Sequence, residues 1–142
     1  MLFRSRLKSG LGWVNLTELD GNSHAPQLTV QCIDRQQLSG YYIYCVTDES
    51  QYAFTISMGI SETVYNVQFY TLSWNYGYHV RDVYYTMDSW DSRDLFVAEI
   101  ALPGDTSTYG IQFTASNGIT YYYGITDSGL DGSLVVFPYT PE

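Results

Sequence analysis

Apolar and polar residues alternate with a period of two along most of this chain, in short runs broken by clusters of Gly, Asn, Asp and Ser. Alternation of that kind sends successive side chains to opposite faces of an extended backbone, so each run predicts a half-buried β-strand. The runs are WVNLTEL, QLTVQCID, YYIYCVT, QYAFTISM, TVYNVQFYTL, VRDVYYTM, LFVAEIAL, YGIQFTAS, ITYYYGI and SLVVF, about ten strands in all. Asn117-Gly118, between YGIQFTAS and ITYYYGI, predicts a hairpin with a type I′ turn, so these two strands should pair directly. No segment of helical length places apolar residues at i, i+3, i+4 and i+7, although Arg4 to Leu11 fits a frayed turn. The pattern therefore predicts an all-β, antiparallel β-sandwich.

At 142 residues the chain suits one domain over 1–142, with residues 1–12 and 138–142 expected as flexible ends. Aromatic residues make up 17% of the chain, including 15 tyrosines, against 15% charged residues, a balance that favours strands and polar aromatic surfaces. Six basic residues against 15 acidic ones give a formal charge of -9, which repels nucleic acid and anionic membranes. No apolar run reaches the ~18 residues of a membrane-spanning helix. Nor does an apolar segment follow the early basic residues, so no secretory signal is expected.

Cys32 and Cys45 lie on the runs QLTVQCID and YYIYCVT. If QQLSG closes a hairpin between them, the two cysteines fall opposite each other, as a cross-strand disulfide or as two buried free thiols. Material for catalysis is thin. His24 and His79 lack the spacing of a zinc site, and Asp88, Asp91, Asp94 and Glu99 include no recognisable carboxylate pair. Asp88, Asp91 and Asp94 recur every three residues in one loop, a weak hint of calcium, but solvated loop acids are the simpler reading. Neither an enzyme, a cofactor nor a bound metal is expected. Asn15-Leu16-Thr17 is a formal glycosylation acceptor on an apparent strand.

The aromatics are the better signal. Trp74, Tyr76 and Tyr78 in LSWNYGYHV share one side if that stretch stays extended, and would then form either a core edge or a binding platform. A sugar stacks its C–H face on such a ring while nearby Asp and Asn side chains meet its hydroxyls.

The stretch Asp82 to Pro103 resembles the starch- and glycogen-binding carbohydrate-binding module, the type that also targets phosphatase regulatory subunits to glycogen. Val83, Thr86, Asp88 and Trp90 match its Val-x-x-Thr-x-Asp-x-Trp, and Asp94, Phe96, Ile100, Leu102 and Pro103 match the strand that follows. Phe113 to Ala115, Asn117-Gly118 and Thr120 to Tyr122 resemble a third block, so the likeness covers about Val64 to Ile125. It implies an immunoglobulin-like sandwich in which Trp90 and either Tyr121 or Tyr122 stack on an α-glucan, with Asp88 as a polar contact or loop brace. Two departures stand out. Tyr123-Gly124-Ile125 replaces the family's Asp-Asn-Asn, and Val67-Gln68-Phe69 follows Tyr65 and Asn66 where phosphatase-docking members carry a basic residue.

Two roles follow as expectations. One is a non-catalytic domain that binds a polysaccharide or oligosaccharide through Trp90, Tyr121, Tyr122, Asp88, Trp74 and Tyr76. The other is a Tyr-rich module for a protein partner or self-association, without sugar binding.

Overall fold

A computed structural model describes residues 25–47, 54–100, 108–127 and 134–141. Nine strands are described: β1 (Leu28–Cys32), β2 (Tyr42–Val46), β3 (Phe54–Ile60), β4 (Val64–Trp74), β5 (Tyr78–Trp90), β6 (Leu95–Ile100), β7 (Thr108–Thr114), β8 (Thr120–Asp127) and β9 (Leu134–Pro138). Each coincides with one of the predicted runs. WVNLTEL, Arg4 to Leu11, His24 and the Asn15 acceptor lie outside the described residues. Among those residues no helix is long and apolar enough to cross a membrane.

The strands form a β-sandwich of two sheets, one five-stranded in the order β9-β8-β7-β4-β5 and one four-stranded in the order β1-β3-β6-β2. Alternation supplies the core between them. Val64, Val67 and Phe69 of β4, with Ile111 and Phe113 of β7, face Ile56 and Met58 of β3 and Phe96, Ala98 and Ile100 of β6. Phe69 is the central ring: it stacks on Tyr109 at 5.5 Å and meets the edge of Phe96 at 5.6 Å.

The β7–β8 hairpin forms as expected, with a different turn. Gly118 N–H donates to Ala115 O at 2.9 Å, and in the 115–119 turn only Gly118 has positive φ, at 84°. That is the arrangement of a hairpin closed by a bulge with glycine in the left-handed region, whereas a type I′ turn needs two such residues. Asn117 Oδ1 accepts from Ile119 N–H at 2.9 Å, which stabilises this turn locally.

The expected hairpin between β1 and β2 does not form. A short 3₁₀ segment, Arg35–Gln37, capped by Asp34 Oδ1 accepting from Gln36 N–H at 3.0 Å, carries the chain away from β1. β1 then pairs with β3, while β2 crosses to the opposite edge and runs parallel to β6. The register row reads Cys32, Ile56, Ala98, Cys45, so the cysteines share a row with two strands between them. Three strand spacings are roughly 14 Å, about twice the Cα separation a disulfide tolerates. Both cysteines are free. Burial pushes the Cys45 thiol up to about 11, whereas Cys32 is exposed on the edge strand. Brief alkylation of the native protein at neutral pH should label Cys32 and spare Cys45, as read by peptide mass spectrometry. Equal labelling of both would count against this placement.

On its outward side the four-stranded sheet buries one carboxylate. Glu99 accepts from Tyr44 Oη at Oε2 and from Thr55 Oγ1 at Oε1, both at 2.9 Å, and Arg35 Nη2 closes on Oε2 at 3.1 Å. Both oxygens of this carboxylate are therefore engaged, and its contact with Arg35 ties the 3₁₀ segment to the sheet.

Candidate functional site

The aromatic residues singled out from sequence separate onto the two faces of the five-stranded sheet. Trp90, at the end of β5, is fully buried. Its indole Nε1–H donates to Asp94 O at 2.9 Å, and its ring meets Phe96 edge-on at 5.7 Å. A ring with no free face cannot stack on a ligand, so the expected role of Trp90 is corrected to a core side chain that pins the loop between β5 and β6. Tyr121 also turns inward, where it packs on Phe113 at 6.1 Å. Tyr122, one residue on, faces outward and meets Tyr139 at 5.9 Å. Trp90 and Tyr122 therefore lie on opposite sides of one sheet and do not share a surface. Asp88 is exposed on β5.

The acidic loop is locally satisfied. Asp91 accepts from Arg93 N–H at 2.8 Å and from Arg93 Nε at 3.1 Å, bonds that hold its carboxyl below the usual range. Asp88 and Asp94 do not join it: among the described residues no group of three or more His, Cys, Asp or Glu converges as for a metal. Glu99, the fourth acid considered, is engaged on the other sheet.

Trp74 and Tyr76 are the most exposed of the predicted aromatic residues, at 69% and 95%. They sit at the tip of the long β4–β5 hairpin, where Trp74 pairs with Tyr78 and residues 75–77 make the turn. LSWNYGYHV thus bends rather than running straight, and the three aromatics do not line one flat side. Instead Trp74 meets Tyr78 edge-on, with centroids 4.9 Å apart and planes at 73°. Asn75 N–H donates to Gly77 O at 2.9 Å, and His79 Nε2 lies 3.0 Å from Asn75 O, which tightens the turn.

Tyr76 adopts a φ of 56°, in the left-handed region. A non-glycine residue there costs about 1–2 kcal/mol, and Tyr76 recovers little of it by packing because it is almost wholly exposed. Local backbone preference favours glycine or asparagine at this place, yet the chain keeps a phenol.

Two register shifts, at Phe69/Tyr70 and Thr71/Leu72, bend the hairpin over the outer face of its own sheet. Tyr78 thereby reaches Phe137 at 5.7 Å and Tyr139 at 5.5 Å, although β5 and β9 are the opposite edges of that sheet. Beneath them runs the register row Val83, Tyr70, Gly110, Gly124, Phe137. The paired glycines leave a trough that the rings fill. A Cβ at Gly110 would fall within contact distance of the Tyr70 ring and 3.0 Å from Leu72 Cδ1, and one at Gly124 would sit 2.7 Å from Phe137 Cε2. Tyr70 is fully buried here, and its hydroxyl bonds to that of Tyr139. Burial is the main reason that the Tyr70 phenol titrates far above its ordinary value, with the Tyr139 bond adding to it.

This second cluster engages residues 138 and 139, the first two of the stretch expected as an end. Pro138 pairs with Tyr123, Tyr139 N–H donates to Tyr122 O at 3.0 Å, and the half-buried Tyr139 ring joins Tyr78 and Tyr122.

The outer face of the five-stranded sheet thus defines the candidate site: an exposed aromatic tip braced on an aromatic cluster, in an all-β sandwich. No protein-family model, curated protein or solved structure matches this chain. Sequence reading had named Trp74, Tyr76 and Tyr122 but missed Tyr70, Phe137 and Tyr139, since nothing local brings β9 and the hairpin tip together.

Proposed function

We propose that this chain is a non-catalytic carbohydrate-binding domain that grips its ligand at the β4–β5 hairpin tip through Trp74 and Tyr76. The observation that carries this reading is Tyr76 itself, a nearly fully exposed ring kept at a backbone conformation that disfavours it. Strain retained without packing return points to selection for a surface contact. Trp74, braced edge-on by Tyr78, offers its own face to the apolar side of a sugar. An α-glucan is the ligand class that the resemblance suggests, with Trp90 transferred from the contact surface to the core.

Affinity electrophoresis through gels containing glycogen or amylose tests the reading. Retardation of the wild-type protein, lost in Trp74→Ala and reduced in Tyr76→Gly, is the expected pattern. Tyr76→Gly should at the same time raise the unfolding free energy by about 1 kcal/mol, since it removes the backbone strain. Unchanged retardation of Trp74→Ala would sink the proposed site.

A second reading rests on a different observation. Among the described strands β5 lies at an edge, with exposed Val80, Val83 and Tyr84, which suits a protein contact or self-association. Sedimentation that shows a monomer at high concentration would count against self-association.

A further inference from the structure

The outer face of the five-stranded sheet holds a polar row that the aromatic tip does not use. Thr86, Gln68, Gln112 and Tyr122 are register neighbours on β5, β4, β7 and β8. All four point away from the core, because Tyr85, Phe69, Ile111, Tyr121 and Tyr123 beside them pack into it. Neighbouring strands lie ~4.8 Å apart, so the row spans roughly 14 Å. Gln68 and Gln112 are half-buried, and neither carboxamide hydrogen-bonds to another described residue. Two adjacent amides, each with donors and an acceptor, are thus not engaged by any described residue and can serve a ligand.

The row is joined to the hairpin tip by an unbroken line of rings. Trp74 meets Tyr78 at 4.9 Å, Tyr78 meets Tyr139 at 5.5 Å, and Tyr139 meets Tyr122 at 5.9 Å. Apart from the phenols, every residue that makes up the rings and the row is uncharged; the exposed Asp88 lies two residues beyond Thr86 on β5. A charge of -9 on the chain repels a polyanion, and none of the row or ring residues is a carboxylate that would hold a cation. The matching ligand is neutral, extended, and presents apolar ring faces beside hydroxyls.

We infer that Gln68 and Gln112 form the hydroxyl-recognising end of an extended site for a neutral oligosaccharide, whose stacking end is Trp74. This rests on the carbohydrate reading above and adds its direction and reach. A short sugar occupies the tip; a longer one continues past Tyr139 and Tyr122 to the paired amides.

Titration calorimetry with maltotriose, maltoheptaose, cellotriose and cellohexaose tests it. The wild-type protein is expected to bind the longer member of one series more tightly than its trisaccharide. Gln68→Ala/Gln112→Ala should weaken the longer sugar about tenfold and leave the trisaccharide unchanged. Gln112→Leu, closer in shape, should weaken the longer sugar in the same sense and serves if the double variant does not fold. Equal affinity of wild type and folded variants for the longer sugar overturns the row while the tip reading stands. Failure of the wild-type protein to bind any of the four sugars overturns both.

Discussion

Trp90→Ala is expected to lower the unfolding free energy by about 3–5 kcal/mol, the range for emptying a buried large aromatic site. The side chain has no solvent exposure, and its removal leaves a cavity against Phe96 and deprives Asp94 O of the indole donor. Trp90→Phe should cost less, since it keeps most of the volume and loses only the hydrogen bond and part of the ring. Denaturant unfolding measures both. Glycan affinity of the folded Trp90→Phe protein should equal that of the wild type, which separates a core residue from a stacking one. A loss of affinity with unchanged stability would return Trp90 to the ligand.

Gly110→Ala is expected to cost up to about 3 kcal/mol, unusually much for a single added methyl group. Adding a Cβ to a strand residue ordinarily helps, by roughly 0.5–1 kcal/mol, because glycine loses more backbone freedom on folding. Here the sign reverses. The Tyr70 ring already occupies the position, is fully buried, and is tethered by its hydroxyl to Tyr139, so it has nowhere to withdraw. Gly124→Ala presses instead on Phe137, which is half-buried on an edge strand and can swing outward, so its cost should be smaller. Thermal unfolding of the two variants should therefore rank Gly110→Ala below Gly124→Ala. A reversed order would mean that the outer cluster is looser than its geometry implies.

Much of the strand content was legible, for a local reason. Burial of one face forces a period of two, and a period of two can be read without knowing the partner strand. Runs such as YGIQFTAS and LFVAEIAL thus fell where β7 and β6 form. Pairing was legible only where the connection is short, as at Asn117-Gly118. Between β1 and β2 the same reasoning failed: QQLSG looks like a hairpin turn, yet the chain crosses the sheet, and only the partners of β3 and β6 determine that. The two cysteines were aligned correctly in row and misplaced by two strands.

The candidate site divides along the same line. Exposed aromatics near Asn75 and Gly77 were readable as a bend with stacking potential, but whether a strand aromatic faces core or solvent was not. The resemblance implied that Trp90 and either Tyr121 or Tyr122 stack on one ligand, and the two faces of one sheet separate Trp90 and Tyr121 from Tyr122. Gln68 and Gln112 carry no local signal at all, being ordinary polar positions on strands far apart in sequence.

By itself the sequence determined the β-class and the strands with their two alternating sides, because these follow from side-chain chemistry at a fixed two-residue spacing. Tertiary structure alone decided which strands are neighbours, that the β4–β5 hairpin bends over its own sheet, and that Tyr70, Gly110, Gly124 and Phe137 share one row. Those outcomes depend on non-local pairing and packing, in which residues tens of positions apart compete for the same space.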